Sequence, residues 1–146
     1  MTGNMKDFYS QICGENKSAL EWLCLFHEYM HEVDDIIDDN DWSSERVLKC
    51  LIMANDAYSH PFYIQNWQRL QCSILSATSV FCDSCKWEKS NDLWKRQFAE
   101  VTRHAGNEIA HVVALICGGY ENVRKISAPM LAASYIYHKD KYGIPQ

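Results

Sequence analysis

The stretch from His27 to Asp41 carries the residues of this chain that are best suited to bind a cation. It contains two histidines and seven carboxylates: Glu28, Glu32, Asp34, Asp35, Asp38, Asp39 and Asp41. No Lys or Arg occurs between Ser18 and Glu45. On a helix, like charges three or four residues apart repel one another, and acids in the last turn face the negative end of the helix dipole. Because a divalent cation would turn this repulsion into coordination, the stretch predicts a metal site.

A helix would collect most of these groups on one face. At 100° per residue, an apolar stripe that includes Trp22, Phe26 and Ile37 lies on the opposite side. Side chains three, four and seven positions apart lie close enough to share a cation. The predicted metal ligands on this helix are Glu28, His31, Asp34, Asp35 and Asp38. The alternative interpretation is that this face is only a solvated acidic surface.

A second face of the same kind is predicted further along the chain. His104, Glu108 and His111 share one side of a helix. The last two repeat the E-x-x-H spacing of Glu28 and His31. We expect the two faces to meet and His111 to complete the ligand set. Magnesium or manganese is the expected cation; iron and zinc are alternatives, since imidazole ligands favour manganese, iron or zinc over magnesium.

The run Asp34-Asp35-Ile36-Ile37-Asp38-Asp39 resembles the first aspartate-rich motif of the trans-isoprenyl diphosphate synthases. In that family, D-D-x-x-D on a helix holds magnesium ions that bind a diphosphate. The resemblance covers these few residues and implies that Asp34, Asp35 and Asp38 are metal ligands.

Two all-α families show related patterns. The doubled E-x-x-H resembles the ferritin-like di-iron carboxylate bundles, in which Glu and His from one pair of helices meet a glutamate from each of two further helices. Glu32-x-x-Asp35 and Glu28-x-x-His31 resemble the acids of the small all-α nucleoside triphosphate pyrophosphohydrolases, which surround magnesium. Both resemblances imply a metal centre inside a helical bundle.

These patterns lead us to expect a divalent-metal-dependent hydrolase that acts on a phosphorylated small molecule, at a nucleotide or other diphosphate bond. The cations would neutralise phosphate oxygens and lower the pKa of a bound water. Glu32 or Glu108 would accept the proton of that water as the catalytic base. Arg69, Arg103 or Arg124 would supply the positive charge for substrate binding.

Two other functions stay open at the level of the sequence. A di-iron carboxylate redox protein would hold its iron through the two E-x-x-H elements. A non-enzymatic interaction protein, such as an inhibitor or adaptor, would use the acidic stripe to bind a basic partner surface, and salt would weaken that binding. Only the first of these two depends on a metal.

Helical periodicity runs along the chain, and the sequence shows no strand-like alternation of any length. We therefore expect a single all-α domain over residues 1–146, a bundle of four long helices plus two short ones, with residues 1–4 disordered. The predicted helices are Lys6–Cys13, Asn16 or Ser18 to about Asp39, Glu45–Tyr58, Pro61–Lys86, residues 90–92 to Cys117, and Glu121–Lys139 with a bend near Pro129. The core side of the fifth helix is expected to be Trp94, Phe98, Val101, Ile109, Val112, Val113 and Ile116.

Composition and charge narrow the range of partners. Apolar residues make up 47% and charged residues 23% of the chain, which is typical of a globular protein. A net charge of −5 without a basic run argues against a nucleic-acid partner. An exposed stripe holding Trp87, Trp94 or Tyr135 could seat a homodimer.

The cysteines and the apolar runs bear on location. Seven cysteines form an odd set, and the N-terminus lacks the pattern of a secretory signal, so we expect a reduced, cytoplasmic setting. No apolar run approaches the roughly 20 residues needed to span a bilayer, and we expect no membrane partner.

Overall fold

The computed structural model describes the backbone of residues 3–142 and the side chains of residues 5–104 and 106–132. All regular structure within these limits is helical, which confirms the predicted all-α class. Within residues 3–142, no helix combines the length and the apolar character needed to cross a membrane. The elements are α1 (Gly3–Cys13), α2 (Lys17–Asp39), α3 (Ser44–Ser59), α4 (Pro61–Glu88), α5 (Leu93–Thr102), a 3-10 helix (Arg103–Gly106) and α6 (Asn107–Tyr142).

The chain divides into two compact units, residues 1–67 and residues 68–146. The N-terminal unit contains α1, α2, α3 and the first turns of α4. The C-terminal unit contains the rest of α4, then α5, the 3-10 helix and α6. The prediction of one domain over the whole chain stays a prediction.

Asparagine closes both ends of α2. The side chain of Asn16 accepts a hydrogen bond from the backbone N–H of Ala19 at 3.0 Å, which satisfies a donor that the helix itself leaves unpaired. At the other end Asn40 has a φ of 53°, and its N–H bonds to the carbonyl of Ile36. Asparagine adopts this left-handed conformation more readily than most residues. The predicted limits of the second helix are confirmed.

Trp22 lies at the centre of the N-terminal unit. Its side chain is fully buried, and its ring stacks on Phe26 at a centroid distance of 5.2 Å and contacts Phe62 at 5.6 Å. The indole Nε1–H donates to the backbone carbonyl of Ala57 at 2.9 Å. In a continuing helix that carbonyl would accept a hydrogen bond from the backbone N–H of the residue four positions on. This residue is Pro61, which has no N–H. Trp22 therefore replaces the missing donor and holds α3 against α2.

The core of the C-terminal unit consists of aliphatic and small side chains. Its buried residues are Leu70, Ile74, Ala77, Ser84, Ala99, Ile109, Ala110, Val113, Ala114, Ile126 and Met130. In α5 the buried residue is Ala99, so the larger side chains of that helix are left to other faces.

The predicted fifth helix, continuous to Cys117, is wrong. α5 ends at Thr102, the 3-10 helix follows, and α6 begins at Asn107. Gly106 lowers helix propensity and asparagine favours helix starts, so the sequence does contain a signal for this division. The apolar periodicity on either side continues across this point, and for that reason the sequence predicts one continuous helix.

The predicted core side of the fifth helix is wrong for the residues that lie in α5. Trp94, Phe98 and Val101 are exposed, whereas Ile109 and Val113 are buried. Periodicity shows that a helix has an apolar face, but not that another part of the same chain covers it. In α5 the apolar face is turned outward.

The glycine pair at positions 118 and 119 interrupts α6. Gly119 has a φ of 69° and a ψ of −166°, a conformation that glycine adopts far more readily than other residues. A Cβ atom on Gly118 would lie 2.7 Å from Cβ of Asn122. The Asn122 side-chain amide donates to the carbonyl of Ala114 across the break, at 3.1 Å. The predicted stop signal thus produces a break within α6, which continues to Tyr142.

The prediction of disorder at residues 1–4 falls partly outside the described residues, where Met1 and Thr2 lie. Gly3 and Asn4 belong to α1, and the prediction of disorder stays a prediction. α1 ends before Gly14, as predicted; Gly14 has a φ of 56°.

Trp22→Phe should lower the free energy of unfolding by about 1 to 3 kcal/mol, because it removes the indole donor and leaves the buried Ala57 carbonyl unsatisfied. Urea denaturation followed by circular dichroism would measure this loss. Trp94→Phe is the matched control: Trp94 is 78% exposed, and its replacement should change the free energy by less than about 0.5 kcal/mol. Equal losses in the two variants would contradict the role assigned to Trp22.

Candidate functional site

A single arginine on α3 gathers carboxylates from α2 and the turn that follows it. The Arg46 guanidinium donates to Oε1 of Glu32 at 3.2 Å and to Oδ2 of Asp39 at 2.9 Å. Its Nη1 lies 3.6 Å from a carboxylate oxygen of Asp41, and its Nη2 lies 4.0 Å from one of Asp35. The Arg46 side chain is 22% exposed. These contacts supply the positive charge that the sequence between Ser18 and Glu45 lacks.

Lys49, one turn further along α3, completes the arrangement around Glu32. Its ammonium donates to Oε2 of Glu32 at 2.6 Å, so each carboxylate oxygen of Glu32 bonds to one cation. Glu32 is a buried residue of α2. Hydrogen bonds from Lys49 and then Arg46 lower the pKa of the Glu32 carboxyl. A catalytic base works best with a pKa near the working pH, so these surroundings favour a structural role for Glu32 over proton transfer.

The Arg46 guanidinium and the carboxylates around it stabilise each other in their charged forms. Hydrogen bonds to Asp39 and Glu32 raise the pKa of the Arg46 guanidinium above its ordinary value. Hydrogen bonds from Ser43 lower the pKa of Asp41, whose Oδ1 accepts from the Ser43 backbone N–H at 3.1 Å. The mutual repulsion of the acids in α2 is therefore offset by ion pairs and by a turn at the helix end.

The metal ligands predicted on α2 lie mostly in contact with solvent. Glu28, His31, Asp35 and Asp38 are exposed, and Asp34 is half-buried. Among the side chains of residues 5–104 and 106–132, no three His, Cys, Asp or Glu groups come together in a way that could hold a metal ion. The described arrangement therefore gives the predicted cation site no support.

The two E-x-x-H elements belong to different units. Glu28 and His31 lie in the N-terminal unit, and the element that ends at His111 lies in the C-terminal unit. In its own unit, His111 places Nδ1 3.0 Å from the carbonyl of Asn107 and Nε2 3.4 Å from the hydroxyl of Ser127. Both ring nitrogens thus have polar neighbours beside them. The expected meeting of the two faces stays a prediction.

The remaining predicted site residues are spread over the C-terminal unit. Arg69 and Arg124 are exposed, as is the candidate base Glu108. Arg103 is largely buried and forms an ion pair with Glu88, at 2.5 Å between nitrogen and oxygen. That ion pair links the end of α4 to the 3-10 helix, which gives Arg103 a structural role. Substrate binding by the three arginines stays a prediction.

His27, which lies in the predicted acidic stretch but is not among the predicted metal ligands, joins α1 to α2. The hydroxyl of buried Tyr9 lies 2.9 Å from Nδ1 of His27, and the His31 ring lies 4.2 Å from the His27 ring. Burial, and then the nearby His31, lowers the pKa of His27 to about 4. Burial also raises the pKa of Tyr9, so Tyr9 stays a hydrogen-bond donor and neutral His27 its acceptor. The contact holds the first helix in place.

The outer face of α3 was not assigned any role from the sequence. Leu48, Leu51 and Ile52, which we call the α3 stripe, are 59% to 62% exposed. They stand at relative positions i, i+3 and i+4, so they form one continuous patch. Exposed acidic side chains lie along one edge of the α3 stripe. They are Glu45, seven residues before Ile52, and Asp56, four residues after it. The sequence signal for this patch is the helical spacing of the three aliphatic residues, which lie on the side of α3 opposite Ala57. Ala57 is the residue whose carbonyl accepts from Trp22.

Comparison of the chain with protein-family models, with curated proteins and with solved structures gave no match.

Arg46→Gln should lower the urea midpoint of unfolding, because it leaves buried Glu32 with Lys49 alone and frees the acids of α2 to repel one another. The loss should shrink as salt is raised, since ions screen that repulsion. Lys86→Gln is the matched control: its ion pair with Asp83 joins two exposed side chains, and pairs of that kind contribute little. A loss in Lys86→Gln as large as in Arg46→Gln would contradict the central role of Arg46.

The His27 imidazole should titrate near pH 4 in the folded chain, against about 6.5 when unfolded. Between these pH values the unfolded state binds the extra proton, so the free energy of unfolding falls as the pH is lowered through that range. We expect a loss of roughly 1 to 2 kcal/mol after allowing for solvent screening. Nuclear magnetic resonance of the ring nitrogens would measure the pKa, and His27→Gln should flatten the pH dependence. A folded-state pKa near 6.5 would contradict the burial of His27.

Proposed function

We propose that the N-terminal unit is a protein-interaction domain whose α3 stripe binds a basic amphipathic helix. The observation that carries this proposal is the exposure of three adjacent aliphatic side chains, each about 60%, on a helix whose other face is firmly held. Clustered apolar exposure beside polar residues is a feature of binding surfaces. Trp42, in the turn before α3, is 62% exposed and adds an aromatic side chain to this unit's surface.

The net negative charge of the N-terminal unit indicates that the partner is positively charged. Residues 1–67 contain four Lys and Arg against twelve Asp and Glu, which leaves a net charge of −8. Arg46 and Lys49 are already engaged by Glu32 and the neighbouring acids. Exposed Asp38, Glu45 and Asp56 keep the surface negative. A partner with Lys and Arg beside its apolar residues would be attracted and correctly oriented by this field.

A helical partner fits the shape of the stripe. Side chains at i, i+3 and i+4 form a ridge along the axis of α3, and the ridges of one helix pack between those of another. An amphipathic helix would bring its own apolar side chains at the same spacing. The binding energy would come from covering the stripe, while the charges would set the rate and the orientation of association.

The interaction hypothesis is favoured over the hydrolase hypothesis by what each requires. The metal-dependent hydrolysis of that hypothesis requires several ligands around a cation, and the described side chains contain no such group of three. It also requires a base of suitable pKa; of the two candidates, Glu32 is bonded to two cations that lower its pKa, and Glu108 is an exposed residue of the C-terminal unit. Interaction requires an exposed apolar patch in a charged setting, and the N-terminal unit offers one.

A fluorescent synthetic peptide, with leucines at helical spacing on one face and lysines on the other, should bind the full chain. Leu48→Ser combined with Ile52→Ser should raise the Kd about tenfold or more, because covering each of these side chains contributes roughly 1 kcal/mol. Anisotropy titrations at low and high salt would measure the Kd, which should rise with salt.

Two controls separate the stripe from general attraction to an acidic protein. Leu75→Ser removes another leucine, 66% exposed on α4, and should leave the Kd unchanged. A peptide of equal charge with serines in place of the leucines should bind at least tenfold more weakly. Equal binding of both peptides, or equal weakening by Leu75→Ser, would overturn the proposal.

A further inference from the structure

The C-terminal unit carries an exposed apolar surface of its own. Leu93, Trp94, Phe98 and Val101, which we call the α5 face, are 55% to 78% exposed. At 100° per residue they lie within an arc of about 140° on α5, and the exposed side chain of Gln97 lies among them. Ala99 is buried on the inner side. The apolar face of this amphipathic helix therefore points to solvent within its unit.

Basic side chains border the α5 face. Lys95 and Arg96 are exposed, and on the helical wheel each lies about 60° beyond one edge of the arc, while Glu100 lies about 20° beyond the edge at Leu93. Lys86 and Lys89 are exposed just before the helix. Residues 68–146 contain ten Lys and Arg against seven Asp and Glu, so the unit has a net charge of +3. This is the opposite sign to the N-terminal unit.

Local contacts hold α5 in this orientation. The side chain of Asp92 accepts from the backbone N–H of Trp94 at 2.9 Å and so caps the start of the helix. Phe98 packs against Trp87 with ring centroids 5.7 Å apart. Arg96 donates to the carbonyl of Ser90 at 2.9 Å. A capped helix with its apolar side outward needs little rearrangement to bind another surface.

We infer that the basic amphipathic helix recognised by the α3 stripe is α5 of a second copy of this chain. This inference rests on the proposed function and names its partner. The α5 face supplies three features that the α3 stripe requires: large apolar side chains at helical spacing, the basic residues Lys95 and Arg96 on the same helix, and a unit of opposite net charge. The contact joins two different surfaces, so it is head-to-tail and extends to rings or open chains.

Sedimentation velocity of the full chain over a range of concentrations tests this inference. The average mass should rise above the 17.0 kDa of one chain as concentration increases, and it should return toward that value in high salt. Trp94→Ser combined with Phe98→Ser should raise the concentration needed for association about tenfold or more. Leu48→Ser combined with Ile52→Ser should do the same. Circular dichroism should show that both variants fold, as expected for exposed positions.

Mixing the two variants is the decisive step. The α5-face variant keeps an intact α3 stripe, and the α3-stripe variant keeps an intact α5 face. Each should be monomeric alone, and together they should form a one-to-one dimer that grows no further. A symmetric dimer, built from one surface against itself, would not be restored by mixing, and failure to restore the dimer overturns the inference.

Three further outcomes would also overturn it. If the wild type is monomeric at every concentration and both variants unfold more easily, the α5 face is covered within one chain. If the wild type stays monomeric and instead sediments with vesicles of anionic phospholipid through Trp94 and Phe98, its partner is a membrane surface. If the wild type binds the synthetic peptide and does not self-associate, the proposed function stands and only the second copy is excluded as partner.

Discussion

The position of Arg46 determines how the N-terminal unit can be built. α2 ends in a series of aspartates that repel one another and face the negative end of the helix dipole. The Arg46 guanidinium bonds to Glu32 and Asp39 and lies within 4.0 Å of Asp35 and Asp41. Because the guanidinium presents several donors in a planar fork, one side chain can satisfy acids from both the helix and the turn after it. Buried Glu32 depends on this contact, since an uncompensated carboxylate inside a protein is costly.

The same contact fixes which side of α3 faces inward. Arg46 and Lys49 bind Glu32 near the start of the helix, and Ala57 accepts from Trp22 near its end. Two attachments of different chemistry therefore set the rotation of α3 about its axis. The α3 stripe is turned to the outside as a result. The proposed binding surface is thus a consequence of the charge arrangement inside the unit.

The two units use related designs with opposite charge. In each, a helix is held by small or polar groups on its inner side and presents large apolar residues outward: the α3 stripe in the acidic unit and the α5 face in the basic unit. The sign of the net charge then distinguishes the two surfaces: the α3 stripe lies in the acidic unit and the α5 face in the basic unit. Complementary charges of this kind suppress pairing between like surfaces and favour pairing between unlike ones.

The sequence alone determined the helical class and most helix ends, because those depend on neighbouring residues. Asn16, Asn40, Gly14 and Pro61 act within one turn of the backbone they cap or end, and the predicted limits at these positions are confirmed. Even the missed division after Thr102 had a local signal in Gly106 and Asn107. The sequence also showed that the acids of α2 repel one another; the divalent cation that it predicted beside them stays a prediction.

Only the tertiary structure decided where the positive charge beside these acids comes from and which apolar faces are covered. Arg46 lies just beyond the acidic stretch, and nothing in its neighbours along the chain shows that α3 packs with Arg46 against Glu32. Periodicity likewise marks Trp94 and Phe98 as one side of a helix, yet Ala99 is the residue turned inward. Ion pairs and burial depend on which helices meet and at what rotation, and these are properties of the folded chain that local spacing does not encode.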